Sequence, residues 1–263
     1  MSRLLMAFRS ANRAPELARC VRHVKEYATV IPAFLGLTAL TYPSSFHDKA
    51  GKKLTVYDFE DLTTLWAVWC ADEYRIPANA KTVVDAGANI GAFSLFAMTT
   101  APDARIFALE PFPSTFEKLE TAISHNGAAN KVACRQVALT DRRTTLFMDA
   151  SPEIKSHSRQ TENAPSQPDH IEVEGWSLED LIRNDDLPSI DYLKVDIEGG
   201  EVPFFVGTSS ETLRRVAKIG VECHSQAGQD QVWAKIEGAG FRLDRISRGS
   251  RYKGSSTAEF VRV

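Results

Sequence analysis

From Lys81 onward the chain alternates short apolar runs with helix-length amphipathic segments, and this alternation limits the fold more than any other feature. Thr82 to Asp85 reads as a buried strand, Asn89 to Thr99 as a helix, and Ala104 to Leu109 as the next strand. Pro113 to Asn126 follows as a helix and Lys131 to Leu139 as a third strand. Parallel strands need long crossovers, and a helix supplies one. The order β-α-β-α-β therefore predicts a mostly parallel sheet with helices on both faces. Asp191 to Asp196 and Lys218 to Cys223 supply a fourth and a fifth strand. Phe241 to Ile246 and Ala258 to Val263 have the pattern of a closing hairpin. Thr144 to Met148 and Ile171 to Val173 read as strands on either side of a polar loop. Ser177 opens a helix, with Asp180 placed to complete a capping box.

The first strand ends in Val83-Val84-Asp85-Ala86-Gly87-Ala88-Asn89-Ile90-Gly91. Gly87 and Gly91 let the backbone turn sharply and approach a ligand closely. Asn89 can bond the ligand or brace the turn, and the following helix offers unpaired N–H groups to an anionic group. Glu110 ends the second strand, at the distance expected of an acid that accepts from ribose hydroxyls. Pro111 and Phe112 come next, with an aromatic ring suited to covering adenine. The ligand is nucleotide-like, and its identity turns on Asp85. Dinucleotide sites use three glycines around a pyrophosphate, which a carboxylate would repel. This loop has two glycines and an acid in front of them. The amino-acid end of S-adenosylmethionine carries an ammonium that such an acid can pair with, so Asp85 favours that cofactor over NAD. A structural aspartate capping the turn is the alternative.

A second cluster follows the fourth strand, in Leu193-Lys194-Val195-Asp196-Ile197-Glu198-Gly199-Gly200-Glu201. Open α/β sheets bind ligands beyond the carboxyl ends of their strands. Asp196 and Glu198 fall at that edge, and Glu201 opens a helix. Val221-Glu222-Cys223-His224 brings Glu222 and His224 to the same edge from the fifth strand. Methyl transfer to a hydroxyl needs the acceptor held in line and its proton removed, and Asp196 or His224 can do the latter. A divalent metal bound by carboxylates is a second route to the same end, although no metal-ligand set is assigned. Capping of the helix and pairing with Lys194 are the purely structural reading of Glu198 and Glu201.

These segments resemble the FkbM family of S-adenosylmethionine-dependent methyltransferases over about residues 81 to 245. The resemblance rests on Val84 to Gly91, Ala108-Leu109-Glu110-Pro111, His125-Asn126-Gly127 and Val137-Ala138-Leu139-Thr140-Asp141. Its most specific parts are Leu193 to Glu201 and Val221 to His224. The family usually has Asp-Val-Glu-Gly-Ala-Glu where this chain has Asp-Ile-Glu-Gly-Gly-Glu, and often Gly where Thr140 stands. The resemblance implies a class I methyltransferase fold, Rossmann-like, with seven strands of which the last is antiparallel. It implies O-methylation of sugars in glycans or of natural products. It places Ala138 beside the adenine and Asp196 near the transferable methyl.

Residues 1–50 lie outside the resemblance and read as an N-terminal helical extension to a methyltransferase domain over 51–263. The stretch to Glu26 is rich in Arg and Lys, so a helix there suits a peripheral membrane or partner contact as well as packing on its own domain. Ala28 to Leu40 is too short to span a bilayer, and Pro32 interrupts it. Asp58 to Tyr74 has helical spacing, with Leu62, Leu65, Trp66 and Trp69 on one inward face. The loop Ser151 to His170 reads as a lid or a surface loop, and with the N-terminal segment it is expected to shape the acceptor pocket. A net charge of -3 over 263 residues gives no bulk attraction to nucleic acid. The acids at the fourth strand also stand where phosphates would approach. Cys20, Cys70, Cys134 and Cys223 form no Cys-x-x-Cys pair, as in a reduced cytoplasmic protein. An NAD-dependent reductase and a non-catalytic scaffold are the rival functions.

Overall fold

The computed structural model describes residues 13–149, 160–161, 170–247 and 256–263. Seven strands make the main sheet: β3 (Thr82–Ala86), β4 (Arg105–Leu109), β5 (Val132–Arg135), β10 (Ile190–Val195), β11 (Val216–Cys223), β12 (Phe241–Ile246) and β13 (Ser256–Arg262). Across the sheet they run β12-β13-β11-β10-β3-β4-β5. β10 pairs in parallel with β3 and β11, and β4 with β3 and β5. β13 is antiparallel to both of its neighbours, β11 and β12. The strand order reverses beside β3, next to β10, and opens a crevice at the carboxyl ends of these two strands. This is the class I methyltransferase topology, with the last strand antiparallel as expected.

Alternation along the strands explains why both faces are covered. Val83, Ile106, Ala108 and Tyr192 point into one apolar core; Val84, Phe107, Leu109, Leu193 and Val195 point into the other. The first core also takes Cys20, Val24, Val30, Phe46 and Leu54, so the N-terminal segment shares the core of the sheet. Its elements are α1 (Ala14–His23), α2 (Tyr27–Phe34) and a hairpin of β1 (Ser44–His47) and β2 (Lys53–Val56). The hairpin turn contains position 50. Among the described residues no helix is long and apolar enough to cross a membrane. Residues 1–12, which begin the basic segment, lie outside the description.

The helix expected over Asp58 to Tyr74 is shorter and changes pitch. α3 (Phe59–Leu65) is capped by Asp58, whose side chain accepts from the Asp61 N–H. It widens over Trp66–Cys70 into a turn closed by Ala71 N–H donating to the Trp66 carbonyl, 2.9 Å. Leu62, Leu65, Trp66 and Trp69 are buried. The Trp69 indole donates to the Ala92 carbonyl, 3.0 Å, and ties this turn to α4 (Ala92–Thr100), the helix that follows the glycine loop.

Lys131 to Leu139 is not one strand. Val132–Arg135 joins the main sheet, whereas β6 (Ala138–Leu139) leaves it to pair with β9 (His170–Trp176). β9 pairs antiparallel with β7 (Thr144–Asp149), and β7 with β8 (Gln160–Thr161), giving a separate four-stranded sheet. A Cβ on Gly175 would lie 3.0 Å from the Thr140 side chain, so the switch depends on a bare Cα where the strands meet. Most of Ser151 to His170, expected as a lid or surface loop, lies outside the described residues.

α5 (Leu178–Asn184) begins with the full capping box: Ser177 Oγ accepts from Asp180 N–H, 3.1 Å, and Asp180 Oδ2 accepts from Ser177 N–H, 3.1 Å. Ser177→Ala is expected to cost about 1 kcal/mol in urea denaturation. A midpoint equal to the wild type's would mean that this cap is not stabilising the helix.

Candidate functional site

A cleft opens at the carboxyl ends of β3, β4 and β10. It encloses about 1200 Å³ of space, part of which is open solvent. Gly87, Asn89, Glu110, Pro111, Ala138 and Asp196 line it, so six of the expected site residues meet in one cleft. Gly91 is not among them. It turns the chain into α4 at φ 87° and faces Leu119 from behind the loop.

The loop is held by its own hydrogen bonds. Gly87 and Ala88 N–H both donate to the Leu109 carbonyl, 3.0 and 2.9 Å. Glu110 then closes it: its Oε2 accepts from Asn89 N–H, 2.9 Å, and its Oε1 from Phe112 N–H, 3.0 Å. The carboxylate expected to meet a ribose thus also braces the turn at Asn89, which sits at φ 49°. Each oxygen keeps a further lone pair for a ligand.

Asp85 stands elsewhere than its expected ligand contact. It is fully buried and absent from the cleft wall. Its Oδ2 accepts from Ser94 Oγ, 2.7 Å, and its Oδ1 from Lys194 Nζ, 3.0 Å. Its acidity is used inside the protein, behind the loop. Lys194, read in the sequence only as a possible structural partner of acids, is the basic group on the wall between β3 and β10. No spacing rule marks it, because a lysine inside an apolar strand has no pattern of its own. Asp58, Asp61 and Thr64 from α3, with Tyr74 and Phe93, also line the cleft. Their helical and aromatic spacing reads as core.

At the acidic edge the expected residues come together with one exception, and of Asp196, Glu198, Glu201 and His224 only the first two line the cleft. His224 Nε2 lies 3.3 Å from Glu198 Oε2 and 3.9 Å from Asp196 Oδ1. Its Nδ1 lies 3.1 Å from Glu201 Oε1. Glu201 accepts in addition from Ile197 and Gly199 N–H, 3.2 and 3.0 Å, and so fixes the turn that carries Asp196 and Glu198. Glu222 is the exception: it is 1% exposed, in register with Thr257 of β13, and takes no part in the cleft wall. Asp196, Glu198 and His224 each offer one ligand atom within 4.8 Å of the others, a spacing that a divalent cation can bridge.

Glu110 and His224 are displaced strongly in acidity. Burial pushes Glu110 up to about 7, against the backbone N–H groups of Phe112 and Asn89. Burial pulls His224 down, but its bond to Glu201 and the charges of Glu201, Asp196 and Glu198 carry it up to about 10. The signs for stability are opposite. Glu110 binds its proton more tightly folded than unfolded, so its contribution falls as pH rises from about 4.5 through about 7. His224 contributes fully below about 6.5 and loses that contribution as pH rises through about 10.

The methyltransferase FkbM domain family matches this chain by sequence over residues 85–243, from the glycine loop to the last hairpin. The chain belongs to the FkbM methyltransferase family. It is an S-adenosylmethionine-dependent methyltransferase, and the reductase and scaffold readings give way to that assignment. Methyltransferase sdnD of Sordaria araneosa is 30% identical over 205 residues, 67% of this chain and 79% of that protein. The 31-O-demethyl-FK506 methyltransferase FkbM of Streptomyces tacrolimicus is 28% identical over 192 residues, 61% of this chain and 72% of that one. The hexuronic acid methyltransferase AglP of Haloferax volcanii is 26% identical over 141 residues, 54% of this chain and 55% of the relative. The crystal structure of methyltransferase FkbM from Methylobacillus flagellatus aligns with 78% of this chain and 56% of its own, at 14% identity and a TM-score of 0.47.

Proposed function

We propose that this enzyme methylates a hydroxyl group of a sugar, glycan or natural-product acceptor, with Asp196 and His224 at the transfer point. The observation that carries the reading is the shared wall: Gly87, Asn89, Glu110 and Ala138 line the same cleft as Asp196. The cleft suits the cofactor. Glu110 lies beside the loop with lone pairs to spare, Pro111 and Ala138 are apolar, and the loop brings backbone to the wall without a side chain at Gly87. Bound there, S-adenosylmethionine supplies an electrophilic methyl group. The enzyme's part is to align the hydroxyl, exclude water and accept the hydroxyl proton as the new oxygen–carbon bond forms.

Asp196 takes that proton in our reading. Between carboxylates that raise it to about 10, His224 is an imidazolium at neutral pH and has no lone pair to accept with. Its role is to hold Asp196 and Glu198 together as a cation. That single charge offsets only part of the three carboxylates', but an imidazolium has no lone pair to offer a metal. EDTA is therefore expected to leave methyl transfer unchanged, and a loss restored by Mg²⁺ or Mn²⁺ would make Asp196, Glu198 and His224 a metal site.

The relatives whose printed names specify an acceptor act on FK506 and on a hexuronic acid, which supports a small-molecule or sugar acceptor here. We place the protein in the cytoplasm, acting on no nucleic acid. Peripheral membrane contact through residues 1–40 and an acceptor pocket completed by residues 151–170 belong to the same proposal. Incubating the enzyme with methyl-labelled S-adenosylmethionine and fractionated glycan, lipid and small-molecule extracts tests it. Label in an ether-linked methyl supports O-methylation; label on nitrogen, or only on nucleic acid, overturns it.

Cofactor affinity should follow Glu110. Ribose hydroxyls donate best to an ionised carboxylate, so S-adenosylhomocysteine is expected to bind more tightly at pH 8 than at pH 6, with the change centred near pH 7. In Glu110→Gln binding is weaker and this pH dependence disappears. An identical pH response in wild type and variant would remove Glu110 from the ribose contact.

A further inference from the structure

Lys194 is a lysine at 4% exposure in the middle of an active-site wall, and burying an ammonium is costly unless its donors are used. They are used in a pattern that joins two strands. Nζ donates to Asp85 Oδ1 at 3.0 Å and to the Gly87 carbonyl at 2.7 Å, and it lies 3.8 Å from Asp196 Oδ2. The rings of Tyr74 and Phe93 flank it, with centroids at 5.9 and 5.8 Å. Asp85 is held in turn by Ser94 of α4. One ammonium thus connects the glycine loop, the helix behind it and the end of β10.

The backbone around it is equally close. Asp196 N–H donates to the Ala86 carbonyl, 3.2 Å, and the Gly87 Cα faces the Asp196 carbonyl with no room for a side chain. The end of β3 carries the cofactor loop and the end of β10 carries the residue at the transfer point. Their spacing decides how a bound methyl group meets the acceptor. We propose that Lys194 is a positioning residue, whose ammonium draws the Gly87 carbonyl toward β10 and so sets the shape of the cofactor loop relative to Asp196. The proposal rests on the reading of this cleft as the cofactor site.

A purely structural lysine would exist to neutralise Asp85, and the two roles separate in a pair of variants. Lys194→Met leaves Asp85 buried without its cation, so both melting temperature and cofactor affinity fall. In Lys194→Met/Asp85→Asn the stranded charge is gone, and the melting temperature recovers most of the loss. Gly87 still lacks its donor. S-adenosylhomocysteine is therefore expected to bind the double variant roughly tenfold or more weakly than wild type, by calorimetry well below either melting point. Wild-type affinity in the double variant would show that Lys194 only balances Asp85 and would overturn the proposal, as would wild-type affinity in Lys194→Met. Glu110→Gln measured alongside separates the two levels. Weakened binding there with normal binding in the lysine variants removes Lys194 alone, whereas normal binding in all three removes the cleft as the cofactor site and the proposal with it.

Discussion

Asp196→Asn is expected to cut methyl transfer by roughly 10²–10⁴-fold, the range for loss of a positioned proton acceptor, while S-adenosylhomocysteine binds nearly as in wild type. Asn has the size of Asp and preserves the packing beside Lys194 and His224, but it does not take up a proton at neutral pH. Lys194 at 3.8 Å and His224 at 3.9 Å are among the groups facing Asp196, and neither replaces it as the base. Glu198, 37% exposed in its side chain and 3.3 Å from His224, is the one other carboxylate of this cluster on the cleft wall. Glu198→Gln measured in parallel therefore decides between them. A severe loss in Glu198→Gln with normal turnover in Asp196→Asn would transfer the base to Glu198. The readout is initial rate with labelled cofactor at saturating acceptor, together with calorimetric affinity. The second measurement matters because a loss of both would mark Asp196 as a cofactor contact instead.

The parts of this site that local chemistry dictates are legible in the sequence. Turn glycines, an acid about 20 residues beyond them and acids at the next strand end follow from what strand ends and helix starts can do. The strand order also follows, because crossovers and burial on both faces leave few topologies. What could not be read depends on contacts between distant segments. Asp85 has the same sequence context whether it meets a ligand or a lysine; only the pairing of β10 with β3 puts Lys194 against it. Glu222 lies two residues from His224, the spacing of one strand face, but the pairing with Thr257 of β13 keeps it buried within the sheet. The break inside Lys131 to Leu139 is fixed by β9, more than 30 residues later, and nothing within the segment announces it. Contacts of the same kind bear on His224, whose proton is held, against the downward pull of burial, by three carboxylates drawn from one turn and the helix after it.

Gly87→Ala is expected to be the most damaging single-methyl change in the chain. The residue sits at φ 74°, where an alanine is strained by roughly 1–2 kcal/mol. The larger problem is space: a Cβ would lie 1.8 Å from the Asp196 carbonyl oxygen and 2.9 Å from its carbonyl carbon. Both are backbone atoms of the residue that follows β10, so relief requires the two strand ends to separate. That separation breaks the Asp196 N–H bond to Ala86 and draws Gly87 away from Lys194. Strain and forced overpacking together are expected to cost about 3 kcal/mol or more, and S-adenosylhomocysteine binding is expected to be lost. Gly91→Ala is the control. It has a similar φ of 87°, but its Cβ would meet the end of the Leu119 side chain at 3.0 Å, which can rotate away, and Ala122 Cβ at an ordinary 3.7 Å. The strain then remains without the clash, so Gly91→Ala should lose stability and keep measurable cofactor binding. Equal damage from the two substitutions would mean that left-handed backbone strain, and not the contact between the loop and Asp196, is what the glycine at 87 serves.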